Sequence, residues 1–572
     1  MTDETLSARA TAQVGGPAPA DVMADGSSTA GAQRSRRRGQ PMPAPAPYVP
    51  KPVWLAGLYI LASTLIAMTQ GLGLNLVTAN LYQIQGPLGA SLNETVWLSA
   101  AYLAPNVSLT LLLTKVRAQF GLRVFATYAI VAFVAVASLH LVVDDIQSAI
   151  VVRFFAGVAA SPMSSLAFLY MLEPFPPERK MTVAVSLAMT NLSIAAPLAR
   201  IVSPTLLDYG GWNGLFMLET ALALVSFAFI RLLPLNSPPK TPVIETMDVV
   251  NYVFIAVGLG SLAMVATVGP FYWWFEAPWI GGLLALGLGS LTIAVVIELN
   301  RENPLIDVRW ITSREILHFA GTLLLFRLLL SEQASGATGF FQVLGLKNEQ
   351  MTVLYLVMLG SAIAAGLLCT VIVRPGRAPY IHIVALSCLI AGSLMDSRAT
   401  ALTGPEQMYL SQGLIAAAGV LFLPPAMAVG FASAMKRGMN YILSFLIVFL
   451  TTQSLGGAIG SSLFRTFVTI REKFHSSQLA ENIVLSDPVV AARIAQTGAA
   501  YARVLPDAGL RQAEGLALLG TQATRQANIL AYNDAFLAIA VLSGIGLATL
   551  LVHLAVIHLR QWRAPRPEAQ AA

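Results

Sequence analysis

The chain has 572 residues, of which 56% are hydrophobic and only 11% are charged. Soluble domains carry about 25% charged residues, so this composition excludes a soluble enzyme and predicts that lipid solvates much of the chain. The formal charge of +6 does not indicate a nucleic-acid-binding protein. The basic residues instead form short clusters between apolar runs, as membrane loops require.

Residues 1–52 are rich in Ala, Pro, Ser and Gly and include the basic run Arg36-Arg37-Arg38. A segment of this composition cannot bury a core, so we expect a disordered tail. It also lacks the layout of a signal peptide, because no short apolar core with a cleavage site precedes the first long apolar run.

From Val53 onward, apolar runs recur that are each long enough to cross a bilayer. A spanning segment must satisfy its own backbone hydrogen bonds, so each run is predicted to be an α-helix. The result is an all-α integral membrane protein with about fourteen spans. The predicted spans cover residues 53–76, 93–114, 122–143, 147–172, 181–207, 213–234, 249–270, 278–299, 315–337, 351–373, 379–396, 408–430, 438–466 and 529–558.

The basic residues predict the orientation of these spans. With the N-terminus in the cytoplasm, the short outside loops contain only Lys347 and Arg398, and the inside segments contain most of the other Lys and Arg residues. This is the asymmetry of the positive-inside rule, and an even number of spans preserves it. We therefore expect the tail at 559–572 to be cytoplasmic. The segment 467–528 should lie outside and be partly helical.

Six short stretches, taken in order and spacing, resemble the fourteen-span drug:proton antiporters of the major facilitator superfamily, the EmrB/QacA branch. Together they cover almost all of the chain from Val53 to the last span. The stretches are Arg153–Gly157, Pro176–Arg179, Glu298–Asp307, Phe341–Gly345, Gln453–Gly460 and Ala531–Phe536.

The resemblance implies two six-helix bundles, at 53–234 and 315–558, joined by two additional spans at 249–299. It implies a proton-coupled exporter of small hydrophobic or amphiphilic compounds in the bacterial inner membrane, alternating around a midplane cavity. It also implies a periplasmic adaptor and an outer-membrane channel as partners. The segment 467–528 is then either their docking surface or a plain cap over the outer vestibule.

The chain departs from this family at two places. Such exporters commonly carry an acidic residue in the first span, and here the corresponding run, Gly73–Thr78, contains no acid. The motif of the fifth span commonly ends in Gly-Pro and paired glycines, which let helices approach closely. Here that position holds Arg200.

Five ionisable residues within the predicted spans stand out, namely Arg153, Arg200, Glu219, Arg327 and Glu332. Placing an ionisable side chain at mid-membrane costs about 2.5–3.5 kcal/mol, so each of these residues is expected to have a bonding partner or a function. We predict that they form the proton and substrate pathway.

Arg200 and Glu219 lie at similar depth in one helical hairpin, which makes an ion pair feasible, either as a structural bridge or as a proton-linked switch. Arg327 and Glu332 are separated by about 140° around one helix, so each should face a cavity or a neighbouring helix instead. Glu332 is a candidate proton site or a structural acid, and Arg153 is a candidate partner for an acid or an anionic substrate.

Polar residues complete the predicted pathway. Gln70, Asn75 and Asn191 either line the cavity or bond helices together. The basic residues Lys115, Arg117 and Arg123 follow the second span, where they set topology and, by the resemblance, form a gating loop.

The sequence contains no phosphate-binding glycine loop, no metal-spaced His/Cys cluster and no nucleophile elbow. We therefore expect no cofactor, metal, catalytic residue or nucleic-acid partner, and an ion gradient as the energy source. Two alternatives remain open. One is an importer of an anionic metabolite held by Arg153 or Arg200, and the other is a membrane sensor or scaffold that transports nothing.

Overall fold

Long α-helices occupy most of the chain in the computed structural model, which describes residues 50–563 except 237–239, 241, 375 and 438. The described residues from Pro50 onward form one compact unit. Five long helices make up the first part of this unit: α1 Val53–Thr78, α2 Leu92–Phe120, α3 Leu122–Leu139, α4 Ile146–Leu172 and α5 Val185–Leu232.

Local sequence signals set the ends of these helices. The Ser91 hydroxyl and the Glu94 carboxylate form a capping box that begins α2. Gly121, with φ at 87°, separates α2 from α3, a conformation that L residues with a side chain rarely adopt. Helix α5 bends at Gly210 and Gly211, so its two arms correspond to the predicted spans 181–207 and 213–234.

The second part of the chain is also helical. Its helices are α6 Thr246–Tyr272, α7 Pro278–Leu299, α8 Arg314–Leu329, α9 Ala337–Val343, α10 Thr352–Ile372, α11 Ala378–Asp396, α12 Tyr409–Arg437, α13 Met439–Glu481, α14 Pro488–Ala499 and α15 Ala508–Arg563. A π-helical turn at Glu332–Gly336 lies between α8 and α9. Turns of this kind recur at functional positions in membrane helices, and this one begins at a predicted site residue.

Among the described residues, eleven helices are long and apolar enough to cross a membrane. One of them, Pro177–Leu232, is the bent hairpin that includes α5, and it contains two predicted spans. The predicted spans at 315–337 and 438–466 also fall on helices, α8 with its π turn and α13, although neither passes the same test. The all-α membrane architecture is confirmed, and the total of about fourteen stays a prediction.

Buried apolar side chains form two main cores. One contains residues from Tyr59 to Leu235, and the other is built mostly from Trp310 to Ile539. The helices α6 and α7 belong to neither core. They pack on α2 through small clusters such as Leu111 with Ile255 and Ala294.

The segment 467–528 is largely helical, as predicted. Helix α13 continues beyond its apolar part to Glu481, and α15 begins at Ala508, well before the predicted span 529–558. The short helix α14 packs closely on α15. A Cβ at Gly498 would meet the backbone oxygen of Arg511, and one at Gly515 would meet that of Ile494. The predicted tails lie outside the described residues, apart from 50–52 and 559–563.

We expect the Gly157→Val substitution to destabilise the protein by about 1–3 kcal/mol, the usual cost of overpacking a core. Gly157 lies where α4 crosses α2, and a Cβ there would overlap the backbone oxygen of Tyr102. The Asn106 amide also donates to the Gly157 oxygen at 3.3 Å. Thermal unfolding of the purified protein measures the effect. Gly289→Val is the control, because a Cβ at Gly289 has nothing within 4 Å. Equal melting of the two variants would contradict this prediction.

Candidate functional site

Arg153 is fully buried and ties three helices together. Its Nη1 donates to the Gly73 oxygen of α1 at 2.8 Å, and its Nε donates to the Leu98 oxygen of α2 at 3.4 Å. The guanidinium carbon also lies 4.4 Å from the centre of the Tyr102 ring. A buried cation held by carbonyls and an aromatic face is anchored in the protein, so Arg153 acts as a link between helices.

Glu219, on the second arm of α5, brings a carboxylate to the same cluster. It is 1% exposed, and among the described residues no donor reaches either of its carboxylate oxygens. A Cβ on Gly73 would lie 2.6 Å from the Glu219 Oε1 atom, so the carboxylate fills the space beside that glycine. An acid from α5 therefore lies beside the run Gly73–Thr78 of the first span, which contains no acid itself.

A second acidic cluster lies in the other core. The Gln412 Nε2 atom donates to the Glu332 Oε1 atom and to the Asp396 Oδ2 atom, both at 2.8 Å. The Ser411 hydroxyl donates to the Asp396 Oδ1 atom. Glu332 is 0% and Asp396 is 2% exposed. No cation lies within 4 Å of either carboxylate among the described residues.

Two like charges this close in an apolar interior repel strongly, so the arrangement favours one proton shared between Glu332 and Asp396. A surface cleft of about 630 Å³, counting its open mouth, has Asp396 in its wall together with Arg398, Thr400 and Gln407. This cleft opens at the turn between α11 and α12. Asp396 therefore lies between the carboxyl cluster and this cleft.

Arg200 does not pair with Glu219, contrary to our expectation. Its Nη1 donates to the Thr338 hydroxyl and, at 3.5 Å, to the Tyr355 hydroxyl, and its Nη2 donates to the Ala334 oxygen at 3.1 Å. Similar depth in a hairpin does not decide which way a side chain faces. Arg200 points to the part of the chain beyond α8, whereas Glu219 points to α1.

Asn348 makes a second contact between the same two parts of the chain. Its Nδ2 donates to the Ala79 oxygen and to the Asn80 Oδ1 atom, both at 3.1 Å, and its Oδ1 accepts from the Tyr355 hydroxyl at 3.2 Å. We call the bonds of Arg200 and Asn348 the latch. By the predicted topology, every residue in the latch lies toward the outer ends of its helix.

We expect the Asn348→Ala substitution to open the latch side of the protein. It removes hydrogen bonds worth about 0.5–1.5 kcal/mol each, so the open form should gain roughly tenfold in population. The measurement is the labelling rate of Leu81→Cys, a buried residue beside the latch, by a membrane-impermeant maleimide in a chain without Cys369 and Cys388. Asn482→Ala is the control, because the Asn482 amide bonds only within its own segment. Unchanged labelling would contradict the latch.

Arg327 and Glu332 have separate partners, as the helical geometry predicts. Glu332 bonds to Gln412, and Arg327 lies against a glycine-lined face of α13. A Cβ on Gly457 would lie 2.5 Å from the Arg327 Nη2 atom, so that glycine makes room for the guanidinium. The Arg327 Nε atom has no hydrogen-bond partner among the described residues.

The predicted polar residues of the pathway lie mostly on α1 and α5 and bond locally. The Asn191 amide donates to the Thr64 hydroxyl at 3.2 Å, and the Asn75 amide donates to the Gly71 oxygen of its own helix at 2.7 Å. The Gln70 backbone oxygen accepts from the Tyr102 hydroxyl at 3.3 Å. Asn191 thus bonds two helices together, and the pathway role of all three residues stays a prediction.

The basic residues predicted to form a gating loop do not lie in a loop. Helix α2 continues to Phe120, so Lys115 and Arg117 are helical, and Arg123 lies in the first turn of α3 and donates to the Leu235 oxygen. Only Gly121 connects the two helices.

Lys115 belongs to an ion-pair cluster with the helices α6 and α7. Its Nζ lies 2.7 Å from the Asp248 Oδ1 atom, which also pairs with Arg301 at 2.7 Å. Arg301 pairs in turn with Glu245 at 3.0 Å, and its hydrogen bond holds the pKa of that carboxyl below its usual value. The cluster fastens the two additional helices to α2, a structural task that the sequence did not indicate.

Asp396, Gln412 and Ser411 were missed because they lie at the predicted limits of spans, where polar residues are expected at the membrane surface. The available signal was their spacing. An acid ends one span, and a Ser-Gln pair begins the next span after a short turn, which places all three side chains at one end of a helical hairpin.

Comparison with known proteins places this arrangement in a family. The chain is 23% identical to the multidrug export protein EmrB of Haemophilus influenzae, over 86% of this chain and 94% of that protein. It is 25% identical to the fatty acid resistance protein FarB of Neisseria gonorrhoeae, over 80% of this chain and 88% of that protein.

Solved structures show the same fold. The human organic anion transporter MFSD10 superposes with a TM-score of 0.51 at 12% identity, over 86% of this chain and 100% of that one. A POT peptide transporter in complex with alafosfalin also superposes with a TM-score of 0.51, at 15% identity, over 74% and 90% of the two chains. The profile of the Major Facilitator Superfamily matches residues 59–461. Since this match covers well over half of the chain, the protein is a multi-pass membrane protein that belongs to the Major Facilitator Superfamily.

Proposed function

We propose that this protein is a proton-coupled exporter of small amphiphilic compounds rather than an enzyme. The observation that carries the proposal is the buried Glu332–Gln412–Asp396 cluster, in which two carboxyls lie close enough to share one proton. A secondary transporter needs such a group, because binding and release of the proton must bias one conformation over the other.

Conformational change would act on the latch. In an exporter, the two six-helix bundles, 53–234 and 315–558, rock around a central cavity while one face closes as the other opens. The bonds of Arg200 and Asn348 join residues from these two ranges and hold one face closed. Glu332 lies only two residues before Ala334, whose oxygen accepts from Arg200. A change in the charge of Glu332 is thus positioned to strain or release the latch.

The relatives support export of amphiphiles. EmrB is a multidrug export protein and FarB is a fatty acid resistance protein, and both align with most of this chain. The importer alternative loses support from Arg153, because its side chain is fully buried and its Nε and Nη1 atoms donate to the oxygens of Leu98 and Gly73.

Proteoliposomes with an imposed proton gradient test the proposal. Dodecanoate and dodecyltrimethylammonium are suitable probes, because they have the same chain length and heads of opposite charge. We expect gradient-dependent movement of at least one probe, abolished by a protonophore. Deleting the gene should raise sensitivity to the exported probe in cells. Impaired growth on a metabolite would instead support the importer, and the absence of any probe-dependent flux would support a sensor or scaffold.

We also propose that the protein lies in the bacterial inner membrane with both termini in the cytoplasm. The support is the excess of Lys and Arg in the segments assigned to the inside. A reporter fused after Ala572 should be active only as a cytoplasmic reporter. Periplasmic activity would mean an odd number of spans and would overturn the outer placement of the latch.

A periplasmic adaptor that leads to an outer-membrane channel is the proposed partner of the segment 467–528. Its support is an ordered group of helices with exposed apolar side chains, including Val489 and Val504 at 76% exposure and Leu510 at 57%. Shortening 476–520 should weaken export in whole cells and spare flux in proteoliposomes. Equal loss in both assays would show that the segment serves the transporter itself.

A further inference from the structure

A cleft beside the latch carries two cations and no acid. It has about 20 Å³ of space in this conformation, room for roughly one water, and lies between the end of α1 and the α9 region. Its walls include Arg200 and Arg465, and none of the residues that line it is acidic. By the predicted topology it opens on the outer side.

Neither arginine has an acidic partner. Among the described residues, no carboxylate lies within 4 Å of either guanidinium. Arg200 bonds only to neutral oxygens, those of Thr338, Tyr355 and Ala334. The contact recorded for Arg465 is with a ring, since its guanidinium carbon lies 5.2 Å from the centre of the Phe271 ring. The cleft therefore presents uncompensated positive charge.

The rest of the wall is apolar or neutral. One part of the wall is lined by Leu81, Tyr82, Leu92 and Phe271. Another part is lined by Ser335 and Thr338, which carry hydroxyls. The guanidiniums can donate charge-assisted hydrogen bonds to an anionic oxygen group, and the apolar side chains lie beside them, where the first carbons of a hydrocarbon chain would follow the head. A cationic amphiphile would face like charges there and would have to be desolvated without a partner.

We propose that this cleft binds the anionic head of an amphiphilic substrate, through Arg200 and Arg465, as the substrate leaves the protein. The inference rests on the proposed export function and adds the charge class of the substrate. Because Arg200 also belongs to the latch, an anion bound there competes with Thr338 and Ala334 for its N–H groups. Binding of substrate and opening of the outer face are then coupled through one side chain.

Quenching of tryptophan fluorescence tests the proposal in the full-length protein. The Trp274 indole donates to the hydroxyl of Thr466, the neighbour of Arg465, at 2.8 Å. A brominated probe in the cleft should therefore quench Trp274 in nanodiscs of phosphatidylcholine. The probes are brominated dodecanoate and brominated dodecyltrimethylammonium, compared at about pH 8, where the carboxylate is ionised. Trp274→Phe identifies the part of the signal that comes from the cleft.

We expect the anionic probe to bind at least about tenfold more tightly than the cationic one, and Arg465→Gln to remove that difference. Arg465→Gln is preferred over Arg200→Gln, because Arg465 makes no latch bond and its loss should leave folding intact. Arg493→Gln is the matched control, since Arg493 bonds to Gln496 on α14, away from the cleft. Equal binding of the two probes, or a preference that survives Arg465→Gln, would overturn the proposal even if proton-driven export persists.

The head of an anionic lipid could also bind to Arg200 and Arg465. A second set of nanodiscs distinguishes binding of a lipid from binding of a substrate. Dodecanoate affinity that is unchanged when phosphatidylglycerol replaces half of the lipid supports a substrate site. Loss of dodecanoate binding in these discs would assign the cleft to lipid and overturn the substrate role.

Discussion

Glu332→Gln should abolish proton-driven export while leaving the protein folded. Glutamine keeps the shape of the side chain. Its amide oxygen can still accept a hydrogen bond from the Gln412 amide, which in the native protein donates to the Glu332 carboxylate at 2.8 Å. It cannot take up or release a proton, so the driving force no longer reaches the conformational change. If each transport cycle requires that proton, gradient-driven flux in proteoliposomes should fall at least about tenfold. A tenfold fall corresponds to the loss of about 1.4 kcal/mol of coupling free energy between proton binding and transport.

Exchange of labelled for unlabelled substrate without a gradient separates coupling from binding. It should persist in Glu332→Gln, since exchange needs no net proton movement. Glu349→Gln is the matched control, because that acid is exposed. Asp396→Asn should behave like Glu332→Gln, and the double variant should be no worse than either single one, since the two carboxyls share one proton. Full gradient-driven flux in Glu332→Gln would refute the assignment of the proton to this cluster.

Arg153→Gln should destabilise the protein by about 3 kcal/mol or more, because it removes two hydrogen bonds made by a charged group, each worth about 1.5–3 kcal/mol. The change removes the bonds to the Gly73 and Leu98 oxygens and the contact with the Tyr102 ring. It also removes a positive charge that attracts the buried Glu219 carboxylate without bonding to it. The stability of Arg153→Lys should lie between those of the wild type and Arg153→Gln. An ammonium group keeps the charge, but it cannot bond to both carbonyl oxygens and also stack on the Tyr102 ring.

Thermal unfolding in detergent measures this effect, with Arg231→Gln as the control at an exposed position. Adding Glu219→Gln to Arg153→Gln should recover part of the loss, and the double-mutant cycle gives the coupling between the two side chains. If Arg153 instead held an anionic substrate, Arg153→Gln would melt like the wild type and lose only substrate binding. That pattern would revive the importer hypothesis.

Charged residues in apolar runs were visible in the sequence, and most of their partners were not. Arg153, Glu219 and Glu332 stand out because a charge in a spanning helix is costly and rare. Their partners are Gly73 and Leu98 for Arg153, and Gln412 for Glu332. Each partner lies tens of residues away, on a helix whose rotation about its own axis no local pattern specifies.

Arg200 shows the limit most clearly. Depth along a helix follows from sequence position, so the sequence predicts a similar depth for Arg200 and Glu219. The direction of the side chain depends on which helix packs beside α5, and that neighbour is contributed by the region around Thr338, more than a hundred residues later. The predicted ion pair was wrong for that reason.

Apolar run length and the need to satisfy backbone hydrogen bonds predict the membrane character, the helical class and the approximate limits of most helices, because lipid leaves no other solution. The contacts between helices emerge only in the folded protein: Asp396 and Glu332 meet at Gln412, Glu219 fills the place beside Gly73, and Lys115 fastens α6 to α2. These are long-range pairings between helices, and they depend on packing against neighbours rather than on any property of a single run.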